Sequence, residues 1–277
     1  MKLVVASPTG LCFGVKRAIE QLESALEEYG AAYSLGSPIH NPQEVARLVG
    51  RGLRLVEKAS EVPEGSVSFV RAHGVARTEF EELTKRSRVV VNGTCPHVRA
   101  AQERALSLSN EGYKVVVVGD SRHPEVRGIL GHIEGDSMVI SGEEEIDTGS
   151  RFVRLGILSQ TTQKESSLAA VVAKLVLITG EIKVYNTICR ATIERQESIQ
   201  RLAPLVDGIV VIGGRNSANT RKLVEIAGAL SVPTLWIEHS GELDRRWLEG
   251  KRSIGVAAGG STPDWLIKEL TGKLETL

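Results

Sequence analysis

Three times along this chain a β-rich run ends in a turn and a cysteine, and an amphipathic helix follows directly. KLVVASPTGLC leads into FGVKRAIEQLESALEEYG, RVVVNGTC into PHVRAAQERALSLSNEG, and EIKVYNTIC into RATIERQESIQRLAPL. In the first helix Val15, Ala18, Ile19, Leu22, Leu26 and Tyr29 recur at helical spacing, and Gly30 supplies a stop. Val98, Ala101, Ala105 and Leu108 do the same before Gly112, while Ile199, Leu202 and Leu205 mark the third face more thinly. A second phrase of strand, polar turn and helix comes next each time: AAYSLGSPIHNPQEVARLVG, KVVVVGDSRHPEVRGILG and GIVVIGGRNSANTRKLVEIAG. A short strand (GLRLVEK, SMVISG, PTLWIEHSG) then precedes a last strand, turn and helix: SVSFVRAHGVARTEFEEL, RLGILSQTTQKESSLAAVV and SIGVAAGGSTPDWLIKEL.

The period is roughly ninety residues, so the chain reads as three similar α/β units. Their boundaries are placed at 1–87, 88–181 and 182–277, with the N-terminal strand able to pack with another unit. Alternating strands and helices predict a largely parallel four-stranded sheet in each. In such sheets binding groups gather at the carboxyl ends of the strands. Cys12, Cys95 and Cys189 all fall at that place in their units.

Composition narrows the function. At 277 residues, 42% hydrophobic and 25% charged, the chain is ordinary globular material able to bury a sizeable core. Lysine plus arginine and aspartate plus glutamate balance at 34 each, which leaves no electrostatic footprint for nucleic acid or an acidic membrane surface. Aromatic residues, at 4%, are too scarce for base-stacking platforms. No apolar run is long enough to span a bilayer, and the N-terminus passes into a charged helix without a signal-peptide core, so a cytoplasmic location is expected. Three widely spaced cysteines argue against a disulfide framework.

The turns after the second and fourth strands carry the remaining polar candidates: His40 and His73; His123 with Glu125, then Thr161 and Thr162; Ser217 and Asn219, then Ser261 and Thr262. Several precede helices that open on proline, at Asn41-Pro42, His123-Pro124 and Thr262-Pro263. Taken singly, such a serine, threonine or asparagine is ordinarily a helix cap. A lone cysteine after a strand is ordinarily a small buried hydrophobe. Recurrence at equivalent places in three units favours function. Helix N-termini offer free N–H groups and a positive dipole end, which suits phosphate. Were the units packed about a pseudo-threefold axis, three thiolates would meet. They could hold a [4Fe–4S] cluster with one iron left open as a Lewis acid, or zinc, although the paired short spacings usual for structural zinc are absent.

These residues resemble one family over nearly the whole length, the 4-hydroxy-3-methylbut-2-enyl diphosphate reductases. The resemblance is carried by GLCFGVKRAIE, the Ile39-His40-Asn41 turn, RAHGV, NGTCP, HPEVRG, SQTTQ, TIC, RNSAN and GGSTPDWLI. It implies three α/β units in a trefoil around a central cavity, with Cys12, Cys95 and Cys189 binding one [4Fe–4S] cluster and one iron open. It implies that His40, His73, His123, Ser217, Asn219 and Ser261 surround the substrate diphosphate, while Glu125 and Thr161 handle the substrate hydroxyl and its proton. The implied reaction is the last step of the methylerythritol phosphate route, with reduced ferredoxin or flavodoxin as electron donor and isopentenyl and dimethylallyl diphosphate as products. Ala218 stands where family members often have a second serine, and Arg190 and Ile193 depart from the pattern around the third cysteine. The alternatives are another cluster Lewis-acid enzyme, of hydro-lyase or quinolinate-synthase type, and a non-catalytic phosphate-ligand or redox-sensing protein.

Overall fold

A computed structural model describes residues 1–277. In chain order the elements are β1 (Lys2–Val5), α1 (Phe13–Tyr29), β2 (Ala32–Leu35), α2 (Pro42–Gly50), β3 (Leu53–Val56), β4 (Val67–Val70), α3 (Arg77–Arg86) and β5 (Val89–Asn92). Then come α4 (Pro96–Asn110), β6 (Lys114–Val118), α5 (Pro124–Leu130), β7 (Ser137–Ile140), β8 (Phe152–Ser159), α6 (Glu165–Leu175) and β9 (Thr179–Val184). The last are α7 (Arg190–Leu202), β10 (Gly208–Ile212), α8 (Ala218–Ala229), β11 (Thr234–Ile237), α9 (Arg245–Leu248), β12 (Ser253–Ala258) and α10 (Asp264–Glu275). Gly30 stops α1 with φ of 76°, as its place after the last apolar position predicts.

Twelve strands form three four-stranded sheets in which every pairing is parallel, so the fold is α/β. Their orders are β1-β12-β10-β11, β5-β4-β2-β3 and β9-β8-β6-β7, the same succession three times. In each sheet an edge strand that leads to a cysteine lies beside the strand of the last phrase. That edge strand is not the opening strand of the segment that follows it. β5, before Cys95, pairs with β4, and β9, before Cys189, pairs with β8. The reason is the βαβ connection: α3 and α6 carry the chain over one face and return it parallel to the strand just left. β1, before Cys12, closes the sheet of the chain's last third through Lys2–Val5 against Ser253–Val256.

By compactness the chain divides into two units, one made of 1–16, 39–50 and 190–277, the other of 17–38 and 51–189. The first holds the β1-β12-β10-β11 sheet. Its central strand β10 is buried throughout and feeds both faces. Ile209 and Val211 pack with Ile199, Leu202, Leu223 and Ala227 of α7 and α8, while Val210 and Ile212 pack with Leu266, Ile267, Leu270 and Leu274 of α10. Two covered faces explain why GIVVI is continuously apolar rather than alternating. The second unit holds the other two sheets. Val115 and Val117 meet Ala101, Ala105 and Leu108 of α4 and Val126 and Ile129 of α5. Leu35 and Val70 meet Leu83 of α3. No helix is long and apolar enough to cross a membrane.

Candidate active site

The backbone N–H of each cysteine is bound in the same way. Cys12 donates to the carbonyl of Gly260 at 2.9 Å, Cys95 to Ala72 at 3.0 Å and Cys189 to Thr161 at 2.9 Å. Each acceptor lies in the turn that leaves the neighbouring strand, β12, β4 or β8. Parallel pairing is thereby carried past the strand ends, and each cysteine is set beside the turn that bears Ser261, His73 or Thr161. A helix begins at once after each: α1 at Phe13, α4 at Pro96 and α7 at Arg190. All three cysteines are half-buried and none is in a disulfide.

In the unit with the β10 sheet, Ser217 caps α8, its hydroxyl accepting the N–H of Thr220 at 3.2 Å. The cap is real, as its position before a helix predicts. Asn219, the second residue of that helix, is a different matter. It is buried, and neither its side-chain oxygen nor its nitrogen has a hydrogen-bond partner. An amide left that way costs about 1–3 kcal/mol, so a ligand is its natural complement. A methyl placed on Gly260 would meet Cys12 Sγ at 3.6 Å and Asn219 Nδ2 at 3.7 Å, which puts the thiol and the orphaned amide next to the same glycine. Ser261 is buried and donates to the carbonyl of His40 at 3.1 Å. The same carbonyl would lie 2.4 Å from a Cβ on Gly214, so only glycine lets the His40 turn rest on the turn after β10. Thr262 is committed to the fold, its hydroxyl bound to Ile212 O at 3.1 Å. Asn41 stands in the sequence before Pro42, as the last residue of the Ile39-His40-Asn41 turn. It is buried and caps α2 through Glu44 N at 2.9 Å, and its side-chain nitrogen has no partner.

In the other unit His123 caps α5. Its Nδ1 accepts the N–H of Glu125 at 3.2 Å, so the neutral ring carries its proton on Nε2 and presents a donor. The His73 ring stands edge-on to it, centroids 5.5 Å apart. Glu125 is 2% exposed. Its Oε1 accepts the backbone N–H of Thr161 at 2.6 Å and its Oε2 the Thr161 hydroxyl at 2.8 Å. Burial pushes the Glu125 carboxyl up to about 7, against the opposing pull of the two Thr161 bonds. A buried acid that titrates near neutrality and touches a hydroxyl is equipped to hold and release a proton. Thr161 also accepts the N–H of Cys189, so one residue joins the acid to a cysteine turn. Thr162 instead accepts from the Gln160 side chain at 3.1 Å.

The structure thus brings Glu125, Thr161, Cys189, His73 and His123 into one unit, and Cys12, Asn219, Ser217, Ser261 and His40 into the other. Two braces went unread in sequence. Asn92 Oδ1 accepts the N–H of Thr94 at 3.0 Å, and Asn186 Oδ1 that of Ile188 at 3.1 Å. The signal was there, since both cysteines sit three residues after an asparagine.

Comparison with known proteins gives one consistent result. A family model described as LytB protein matches residues 3–275. The 4-hydroxy-3-methylbut-2-enyl diphosphate reductase of Geobacter sulfurreducens is 44% identical over 275 residues, covering 99% of this chain and 97% of that protein. Its namesake in Aquifex aeolicus is 42% identical over 279 residues, covering 99% and 96%. A solved structure of (E)-4-hydroxy-3-methyl-but-2-enyl diphosphate reductase, the terminal enzyme of the non-mevalonate pathway, is 41% identical, covers both chains fully and superposes with a TM-score of 0.72. That of the Plasmodium falciparum reductase is 25% identical, covers all of this chain and 87% of the other, and gives a TM-score of 0.89. A match running from β1 to the end of α10, with relatives alike over their full lengths, makes this chain a member of the LytB protein family.

Proposed function

We infer that this chain is a 4-hydroxy-3-methylbut-2-enyl diphosphate reductase. It removes the allylic hydroxyl as water with two electrons and two protons, and releases isopentenyl and dimethylallyl diphosphate. The full-length likeness to reductases of that name supports the activity. Within the site, the observation that carries it is the Glu125–Thr161 pair, a buried proton donor tied to a cysteine turn. Hydro-lyase and condensing-enzyme alternatives lose their footing once the family is known.

Three cysteines outside any disulfide, each at the start of a helix and each bonded alike through its N–H, suit a metal centre better than three inert core thiols. Cys12, Cys95 and Cys189 would hold a [4Fe–4S] cluster with one iron unligated by protein. When bound, that cluster supplies electrons, taken from reduced ferredoxin or flavodoxin, and a Lewis-acidic iron. The chain's own residues do the rest. His40, His73, His123, Ser217, Asn219 and Ser261 bind the diphosphate, with Asn219 turning its orphaned amide to it and His123 its Nε2–H. Protonated Glu125 passes its proton to Thr161 Oγ, whose own proton moves on to the departing hydroxyl, so that water leaves rather than hydroxide. The reaction is placed in the cytoplasm.

Anaerobic iron and sulfide analysis joined to product identification tests this. The expected result is about four iron and four sulfide per chain together with both five-carbon diphosphates. A chain that takes up no iron, or one that turns the substrate over equally well without it, overturns the assignment.

A further inference from the structure

The three cysteine turns are not braced alike. Asn92 and Asn186 each stand three residues before a cysteine and fold their side chains onto the turn they precede. Thr9 holds the corresponding place before Cys12, and its hydroxyl is buried without a hydrogen-bond partner. The Cys12 turn therefore lacks the internal brace that the other two possess. It is held from outside instead. Arg195, on α7 of the same unit and only 4% exposed, donates from Nη2 to the carbonyl of Gly10 at 2.8 Å and from Nη1 to that of Ala191 at 2.9 Å. Farther along α7, exposed Arg201 donates to Ser7 O at 3.1 Å. Gly10 itself, at φ of 80°, rests so close to Asp264 that a Cβ would fall 2.4 Å from its Oδ1. The turn is thus in contact with both α7 and the start of α10.

We propose that Arg195 is a positioning residue that preforms the Cys12 turn for cluster capture, a role that rests on Cys12 being a cluster ligand. A planar guanidinium holds two carbonyls from two nitrogens of one rigid fork, whereas a lysine ammonium offers its donors from a single, rotatable point. Buried, charge-assisted bonds of this kind are the strong ones. Ordering the turn beforehand removes an ordering cost from metal binding. Arg17 supplies the contrast: it donates to Thr94 O in the Cys95 turn at 3.3 Å, longer and less buried, where Asn92 already serves.

The test is site-resolved thiol labelling of the full-length chain isolated without its cluster, using N-ethylmaleimide and peptide mapping, followed by anaerobic reconstitution with iron and sulfide. In Arg195→Gln the Cys12 labelling rate is expected to rise about tenfold or more, the weight of one charge-assisted hydrogen bond, with Cys95 and Cys189 unchanged. Arg195→Lys is expected to fall between Gln and wild type, and Arg17→Gln to leave Cys12 unchanged. Iron uptake should drop in step with Cys12 exposure. Equal acceleration of all three cysteines means general loosening and overturns the proposal, as does an unaltered Cys12. If Gln and Lys variants both fail to fold, Arg195 is a core element and the proposal falls too. Wild-type chain that takes up no iron defeats the cluster assignment instead, while the labelling pattern still judges Arg195.

Discussion

Thr161 grips both oxygens of Glu125, its backbone N–H on Oε1 at 2.6 Å and its hydroxyl on Oε2 at 2.8 Å. A side chain held at both ends has one orientation, so removing its proton should not move it. Glu125→Gln preserves the shape and both contacts, since an amide accepts from the N–H and donates to the hydroxyl. Turnover is expected to fall by about a hundredfold or more, the ordinary weight of a positioned general acid, with iron content unchanged. Steady-state rates beside iron analysis decide, and wild-type turnover in that variant ends the proton assignment.

The same carboxyl links stability to pH. Its folded pKa of about 7 lies above the ordinary glutamate value of 4.5 because burial disfavours the charge. The folded chain thus binds this proton more tightly than the unfolded chain does. Its contribution is fully present below about 4.5 and is lost as pH rises through about 7, a change on the order of 3 kcal/mol. Denaturant melts of the cluster-free protein at pH 5 and pH 8 should show that loss in wild type and not in Glu125→Gln. Parallel curves for the two proteins would count against it.

Thr161→Val separates the two bonds. The backbone N–H stays while the hydroxyl goes, and the hydroxyl is one of the contacts that lower the Glu125 pKa. The carboxyl should therefore titrate at higher pH in the variant. If protonated Glu125 is the working form, the alkaline limb of the rate profile moves upward while the rate at its plateau falls. A limb that stays in place, or moves down, argues that another group sets it.

Local chemistry made the fold legible. Apolar runs of strand length, helical spacing in residues such as Ala18, Ile19 and Leu22, and stops such as Gly30 are settled within a few residues of themselves. The turns that bear Ser217, His123 and Thr161 were legible for the same reason. Strand partnership was not, because VVVN reads equally well as the opening of the segment after it, and only the crossover by α3 assigns β5 to β4. Arg195 was invisible, being one more arginine on a thinly patterned helix whose partner lies 185 residues away. Asn219 could be named but not weighed, since the absence of partners around its amide depends on everything packed near it.

That absence gives Asn219→Ala an unusual signature. Truncating a satisfied buried asparagine destabilises, whereas here the lost packing is offset by removal of an unpaired amide. The cluster-free melting temperature should change little while KM for the diphosphate substrate rises about tenfold or more, the worth of a hydrogen bond to a charged group. A variant that melts far lower with KM unchanged would make Asn219 a structural residue.

Ala218 lies between Ser217 and Asn219 as the first residue of α8, half-buried, where a backbone N–H is free of intrahelical bonding. A hydroxyl there adds a donor to the same helix N-terminus without burying new surface. Ala218→Ser is expected to lower KM by about two- to tenfold, the net value of one hydrogen bond, and to leave kcat near wild type because the diphosphate is remote from the bond that breaks. Serine also favours the first turn of a helix, so the cluster-free protein should be no less stable. If KM stays put while the variant folds normally, the α8 N-terminus does not face the diphosphate, and Ser217 and Asn219 lose their assignment with it.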